Sequence, residues 1–356
     1  MSRFLSPETA GLTPYVPGEQ PQNMNYIKLN TNENPFPPSP RVLEAVSLAE
    51  VGKLNLYSDP ACAALCAAIA AQYGVDPENV IAGNGSDELL SFAFRAFCGA
   101  GVSAVYADIT YGFYKVWAQF YGLESAVIPL REDFSLNIDD YIGKKGTVFI
   151  ANPNAPTGMI LPVSEIERLL AADPNRVVLV DEAYVDFGGE SCVPLVKKYG
   201  NLLVMQTFSK SRSLAGGRIG FAIGSRELIG DMNRIKFSFN PYNLNRLCIV
   251  AGTAAMEDVE YFERCRAHVM ENRTFTVEAL GNLGFTVLSS AANFVFARSD
   301  RIPGGALYEK LKARGVLVRH FDAPRISDFC RITIGSMEQM QGLLREIKNI
   351  LEEDLA

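Results

Sequence analysis

Only two histidines, His268 and His320, occur in the whole chain, and that scarcity removes most imidazole-based chemistry. Neither lies in a metal-ligand spacing or a nucleophile elbow, so a zinc hydrolase or a Ser-His-Asp enzyme finds no support. His268, in Glu263-Arg-Cys-Arg-Ala-His268, is expected on a solvated helix face. An excess of basic charge is also missing: Lys and Arg number 33 against 40 Asp and Glu, a net charge of −7, which favours small-molecule chemistry over nucleic acid. No apolar run approaches the roughly 20 residues of a membrane span. The start, Met1-Ser-Arg-Phe-Leu-Ser-Pro-Glu8, loses its apolar character too early for a secretory signal, and a cytoplasmic location is the expectation. The seven cysteines form no dense framework and their odd number reads as reduced thiols. Cys62 and Cys66 share a helix face without a nearby His, which suggests a buried thiol pair and no metal site.

What is present is the composition of a folded protein, 48% hydrophobic and 21% charged, at a length that predicts a large domain and a smaller one. Residues 1–40, rich in Pro, Asn and Gly, read as an arm lying on another surface. Helical patterns then alternate with short apolar runs at Asn79–Ala82, Val102–Tyr106, Ser125–Ile128, Thr147–Ile150, Val177–Val180, Leu202–Met205 and Ile219–Ile223. Such alternation predicts an α/β domain over 41–245, with a mainly parallel sheet between helices. The run at Ile219–Ile223 follows Leu202–Met205 too closely for a helical crossover and is expected to be antiparallel. A long helical pattern from Asn243 to Leu280 leads into a second α/β domain over 246–356, with strands near Phe285–Leu288, Asn293–Ala297, Val316–Val318 and Cys330–Ile334.

Chemistry-bearing residues follow the ends of the apolar runs, where open α/β sheets bind ligands. Lys210 stands in Thr207-Phe-Ser-Lys-Ser-Arg-Ser-Leu-Ala-Gly216, among hydroxyls at Thr207, Ser209, Ser211 and Ser213 and guanidinium groups at Arg212 and Arg218, a set suited to a phosphate dianion. Taken alone, that loop reads more readily as a solvated lysine in polar company. Asp181, in Asp181-Glu-Ala-Tyr184, ends a run and is either a turn acid or a partner for a heterocyclic nitrogen. Gly83-Asn-Gly-Ser-Asp-Glu88 leaves a strand and opens a helix; a plain N-cap explains it, and a helix N-terminus also binds phosphate. Tyr111 could stack on a planar ring or simply pack, and Tyr57 is a turn tyrosine. Gly83 to Gly85 lacks the glycine fingerprint of a nicotinamide-binding turn.

With Asn152-Pro-Asn-Ala-Pro-Thr-Gly158, these segments in this order resemble the fold-type I pyridoxal-phosphate aminotransferases. The resemblance extends to the histidinol-phosphate branch through Leu12-Thr-Pro-Tyr15, Leu29-Asn-Thr-Asn-Glu-Asn-Pro35, Gly85-Ser-Asp-Glu88 and Cys330-Arg-Ile-Thr-Ile-Gly335. It implies pyridoxal 5'-phosphate as cofactor, joined to Lys210 as a Schiff base, with Asp181 on the pyridine nitrogen, Tyr184 on the phenolic oxygen and Tyr111 against the ring. Gly85, Ser86, Asp87, Ser209, Arg218 and Thr207 would hold the phosphate, and Tyr57 would reach the cofactor phosphate of a neighbouring subunit in a homodimer. Asn32, Arg319 and Arg331, with Tyr15 from the other chain's arm, would meet the substrate. The implied reaction is ping-pong transfer of an amino group from histidinol phosphate to 2-oxoglutarate, a step of histidine biosynthesis; phenylalanine or tyrosine transamination and phosphothreonine decarboxylation are the rivals. One position departs from the family's pattern: Ala155 stands where an asparagine usually bonds the phenolic oxygen, and Asn154 is the expected substitute, with Asn152 or Tyr184 alone as alternatives.

Overall fold

The computed structural model describes residues 4–6, 9–21 and 26–353. A two-residue strand, β1 (Ile27–Lys28), precedes the seven strands of the large sheet: β2 (Val80–Gly83), β3 (Ala104–Ala107), β4 (Ser125–Ile128), β5 (Thr147–Ala151), β6 (Val178–Asp181), β7 (Leu202–Thr207) and β8 (Gly220–Gly224). Their order is β2-β8-β7-β6-β5-β3-β4. β8 alone runs antiparallel to its neighbours, because the link from β7 is too short to carry a crossover. Every residue of β2, β3, β5, β6, β7 and β8 is buried, as expected of strands covered on both faces, whereas edge strand β4 is largely accessible. One face packs Ile69, Ile166, Leu169, Leu244 and Ile249; the other packs Leu89, Phe92, Phe94, Tyr114 and Met232.

Two helices, Arg246–Glu257 and Val259–Asn282, lead out of this layer. The pattern read as one continuous helix is broken at Asp258, whose ψ of 66° leaves the helical region and whose carboxylate caps the second helix at the Tyr261 N–H. The second sheet contains β9 (Phe285–Val287), β10 (Phe294–Ser299), β12 and β13, with β11 (Val316–Leu317) paired elsewhere; β12 is Arg319–His320 and β13 is Phe329–Thr333. Its order is β12-β13-β10-β9, all antiparallel, and the helix Met337–Glu353 packs Met340, Leu343, Ile347 and Ile350 into the same core.

The N-terminal segment is more than a surface arm at one place. β1 pairs in parallel with β11, and Leu29 is buried in the C-terminal core. Strands of two residues carry no readable periodicity, so β1 and β12 leave no signal in the sequence. The two cores meet through Ala107, Ile109 and Leu130 on one side and Phe296, Ile326 and Phe329 on the other. That contact seats the second sheet over the strand ends of the first. His268 is exposed, Cys62 and Cys66 are both buried, and among the described residues no helix is long and apolar enough to cross a membrane.

Candidate active site

The C-terminal ends of β5, β6 and β7 and the end of β2 open into one cavity of about 230 Å³. Lys210, three residues beyond β7, enters its wall. Its Nζ donates to the Thr31 carbonyl at 3.1 Å and lies 5.7 Å from the Tyr184 ring centroid. Asn34 Nδ2 donates to the Lys210 carbonyl at 3.0 Å, fixing the backbone that carries the amine. Burial disfavours the ammonium and, with the Arg331 charge adding to it, pulls the amine down to about 8.

Asp181 ends β6 with its carboxylate buried. Its Oδ2 accepts from Tyr114 Oη at 3.0 Å and its Oδ1 from the Ala183 N–H at 3.2 Å. Burial pushes the acid up to about 6 even though both hydrogen bonds favour the anion. Tyr114 is absent from the expected set. It lies three residues after Tyr111, its N–H donating to the Tyr111 carbonyl at 3.1 Å in the turn that opens the helix Phe113–Phe120, and that spacing is the signal that would have found it. Tyr111 donates to Asp87 Oδ1 at 2.6 Å and meets Tyr114 edge to face.

The turn after β2 makes an anion-binding corner. Gly85 adopts φ +84° before the helix Ser86–Phe97, and Gly220 on β8 approaches so closely that a Cβ there would lie 2.3 Å from the Ser86 nitrogen. Arg218 Nη1 donates to Ser209 Oγ at 3.2 Å and Nη2 reaches Asp87 Oδ2 at 3.5 Å, while Thr207 Oγ1 donates to Ser209 Oγ at 3.1 Å. Free backbone N–H groups at a helix start, a guanidinium and two hydroxyls therefore converge. The other polar residues of the Lys210 loop turn away: Ser211 donates to Asp186, and Arg212 is buried against the Phe262 ring, donating to the Ala255 carbonyl.

The opposite end of the cavity holds Arg331 and Arg319. Arg331 Nη2 donates to the Asn30 carbonyl at 3.1 Å, but its buried Nε has no partner. Arg319 donates to the carbonyls of Val16 and Pro17 at 3.0 and 3.2 Å, which brings Tyr15 to the mouth. An adjoining cavity of about 520 Å³ shares Tyr15, Tyr111, Arg319 and Arg331.

Asn32 and Tyr184 also line the cavity, and Asn32 Nδ2 donates to Tyr184 Oη at 2.9 Å. Ala155 presents its methyl there. Asn154 does not face it: its Oδ1 accepts from Thr110 and its Nδ2 donates to the Ile109 carbonyl and Thr157. Asn152 is likewise committed, to both backbone groups of Leu161. Tyr57 lies outside the cavity, 80% exposed and stacked on Tyr242 at 4.5 Å. No group of three or more His, Cys, Asp or Glu able to hold a metal occurs among the described residues.

The amine, the carboxylate and the anion corner are the three groups that pyridoxal phosphate demands of a protein, and the glycine-tight turn leaves the helix N–H groups open to a phosphate. Comparison with known proteins agrees. Residues 24–347 match the family described as aminotransferase class I and II. The chain is 49% identical over 353 residues to a histidinol-phosphate aminotransferase of Clostridium botulinum (strain 657 / Type Ba4), covering 99% of this chain and 100% of the relative. It is 49% identical over 355 residues to the histidinol-phosphate aminotransferase of Aromatoleum aromaticum, with the same coverage. The fold matches the crystal structure of histidinol-phosphate aminotransferase from Sinorhizobium meliloti in complex with pyridoxal-5'-phosphate, at TM-score 0.90 and 24% identity, over 100% of this chain and 99% of that one.

Proposed function

The chain belongs to the aminotransferase class I and II family, and from that premise we propose that it transfers the amino group of histidinol phosphate to 2-oxoglutarate. It is a pyridoxal-phosphate-dependent transaminase acting on small amino and oxo-acid substrates. The observation that carries the substrate reading is the half-buried Arg331 with its buried, unpartnered Nε, beside Arg319, at the end of the cavity away from the phosphate corner. A guanidinium fork pairs equally well with the phosphate of one substrate and the carboxylate of the other, so one end serves both half-reactions.

Pyridoxal phosphate, when bound, supplies a sink for the electron pair left as a proton departs from the substrate's α-carbon. The chain's own residues do the rest. Lys210, with its amine near 8, has a sizeable neutral fraction at physiological pH and is the group that takes that proton. The Thr31 carbonyl holds the amine on one side of Tyr184 when it is free. Asp181, near 6, is largely ionised at pH 7 and would meet the ring nitrogen of the bound cofactor from the end of β6. The backbone N–H groups of Ser86 and Asp87, with Ser209, Thr207 and Arg218, would hold the cofactor's phosphate; Tyr111 would cover the ring, and Tyr15 would exclude water at the mouth.

We also assign the assembly as a homodimer in the cytoplasm. Leu48, Leu54, Leu56 and Tyr57 are exposed large apolar side chains beside exposed Tyr242, tied together by the Tyr57–Tyr242 stack and the Arg246–Glu50 ion pair. An apolar patch of this kind is suited to a second copy, whose phosphate corner Tyr57 would complete.

The test is steady-state kinetics with 2-oxoglutarate as acceptor. A kcat/KM for histidinol phosphate about 100-fold or more above that for phenylalanine is expected, since a site with buried polar groups rejects a substrate that leaves them unpaired. Equal values would overturn the substrate assignment.

A further inference from the structure

Ala155 offers the cavity only a methyl, and the amides of Asn152 and Asn154 are spent on Leu161, Thr110, Thr157 and Ile109. Tyr184 is therefore the side chain left to donate toward a phenolic oxygen, and the direction of its hydroxyl proton becomes decisive.

That direction is set by Asn32. The Thr333 hydroxyl accepts from the Asn32 N–H at 3.0 Å and donates to Asn32 Oδ1 at 3.1 Å. With the backbone N–H on one lone pair, the Thr333 hydroxyl proton finds its acceptor in Asn32 Oδ1, and a flipped amide would leave that buried proton without a partner among the described residues, so the amide oxygen is held toward Thr333. The amide nitrogen then faces Tyr184 Oη at 2.9 Å, and a nitrogen of this kind only donates. Tyr184 accepts on that side, and among the described residues no protein group takes its own proton. Asn32 is itself firmly held. It adopts φ +57°, which asparagine tolerates better than most residues, and Asn293 Nδ2 clamps its carbonyl at 3.0 Å.

We propose that Asn32 is a positioning residue that makes Tyr184 an obligate hydrogen-bond donor into the cavity, with Thr333 on β13 fixing the sense of the amide. The inference rests on the pyridoxal-phosphate reading above and assigns Asn32 to the cofactor through Tyr184, where the sequence suggested the substrate. It also makes the cofactor's proton affinity depend on the seating of the C-terminal sheet, because Thr333 ends β13 and Asn293 directly precedes β10.

The test uses full-length protein loaded with pyridoxal phosphate and reads the pH midpoint at which the bound cofactor's absorbance changes. A donor to the phenolic oxygen favours its anionic form and lowers the proton affinity at the Lys210 linkage. Tyr184→Phe removes the donor and raises the midpoint by about one pH unit. Asn32→Asp keeps the shape and tolerates the positive φ, but an ionised carboxylate accepts the Tyr184 proton and turns it from the cavity; its midpoint rises in the same direction. Asn32→Gly keeps the backbone without the amide and gives a smaller rise, so either variant suffices if the other fails to fold. In the Tyr184→Phe background neither change at position 32 moves the midpoint further. An unmoved midpoint in both single variants, or an equal shift with and without the Tyr184 hydroxyl, overturns the inference. A wild-type protein that shows no cofactor band overturns the cofactor reading itself, and this inference with it.

Discussion

Arg218 at one end of the cavity and Arg331 at the other are held in opposite ways. Arg218 sits in an accessible corner with its charge already answered by Asp87, Ser209 and the Ala215 carbonyl. Arg331 is enclosed, stacks between Phe294 and Phe321, and keeps one N–H without any partner. An acid beside Arg218 lets that corner keep its shape when empty and moderates its attraction for a phosphate. The absence of an acid from Arg331's direct partners leaves the far end dependent on an incoming anion. On the proposed reading, the permanent group would take the self-satisfied end and the exchanging substrates the open one.

Arg331→Gln is expected to have the largest effect. Removing one partner of an enclosed charge pair costs several kcal/mol, so kcat/KM is expected to fall by about two to three orders of magnitude for amine and oxo acid alike. Steady-state kinetics on both half-reactions measure this, and a loss confined to one substrate would contradict a shared anion end. Arg218→Gln removes an exposed, pre-paired group, for which about a tenfold weakening of cofactor affinity is expected by fluorescence titration of the apoprotein. A larger loss than that of Arg331→Gln would invert the comparison.

The smallest effect concerns pH. Capture of the cofactor requires Asp181 ionised and Lys210 neutral, so its rate is expected to climb as pH rises through about 6 and again through about 8. The Tyr114 hydrogen bond favours the Asp181 anion, and Tyr114→Phe therefore moves the lower step upward by about one pH unit while leaving the upper step in place. Stopped-flow absorbance of apoprotein mixed with pyridoxal phosphate resolves both steps.

The two ends also differ in how readable they are. Lys210, Asp181 and the Gly85–Ser86 turn stand just past apolar runs, where the rule that ligands gather at strand ends singles them out as candidates, and the structure brings them to one cavity. The far end depends on contacts across about three hundred residues: Arg331 to Asn30, and Thr333 to Asn32. Those are set by the pairing of β1 with β11, which two residues per strand cannot announce. Orientation was equally hidden. Arg212 and Arg218 look alike in the sequence, yet one is buried against Phe262 and the other faces the phosphate corner. Asn154 turns from the cavity because Thr110, Thr157 and Ile109 satisfy its amide. The Thr31 carbonyl that receives Lys210 is a backbone group with no residue-type signal at all.

All of this chemistry requires that one amine, Lys210 Nζ, carry the cofactor. Borohydride reduction of the loaded protein, followed by proteolysis and mass mapping, measures that bond directly. A pyridoxyl group on the peptide containing Lys210 is the predicted result; an unmodified Lys210, with the label elsewhere or nowhere, would contradict the account.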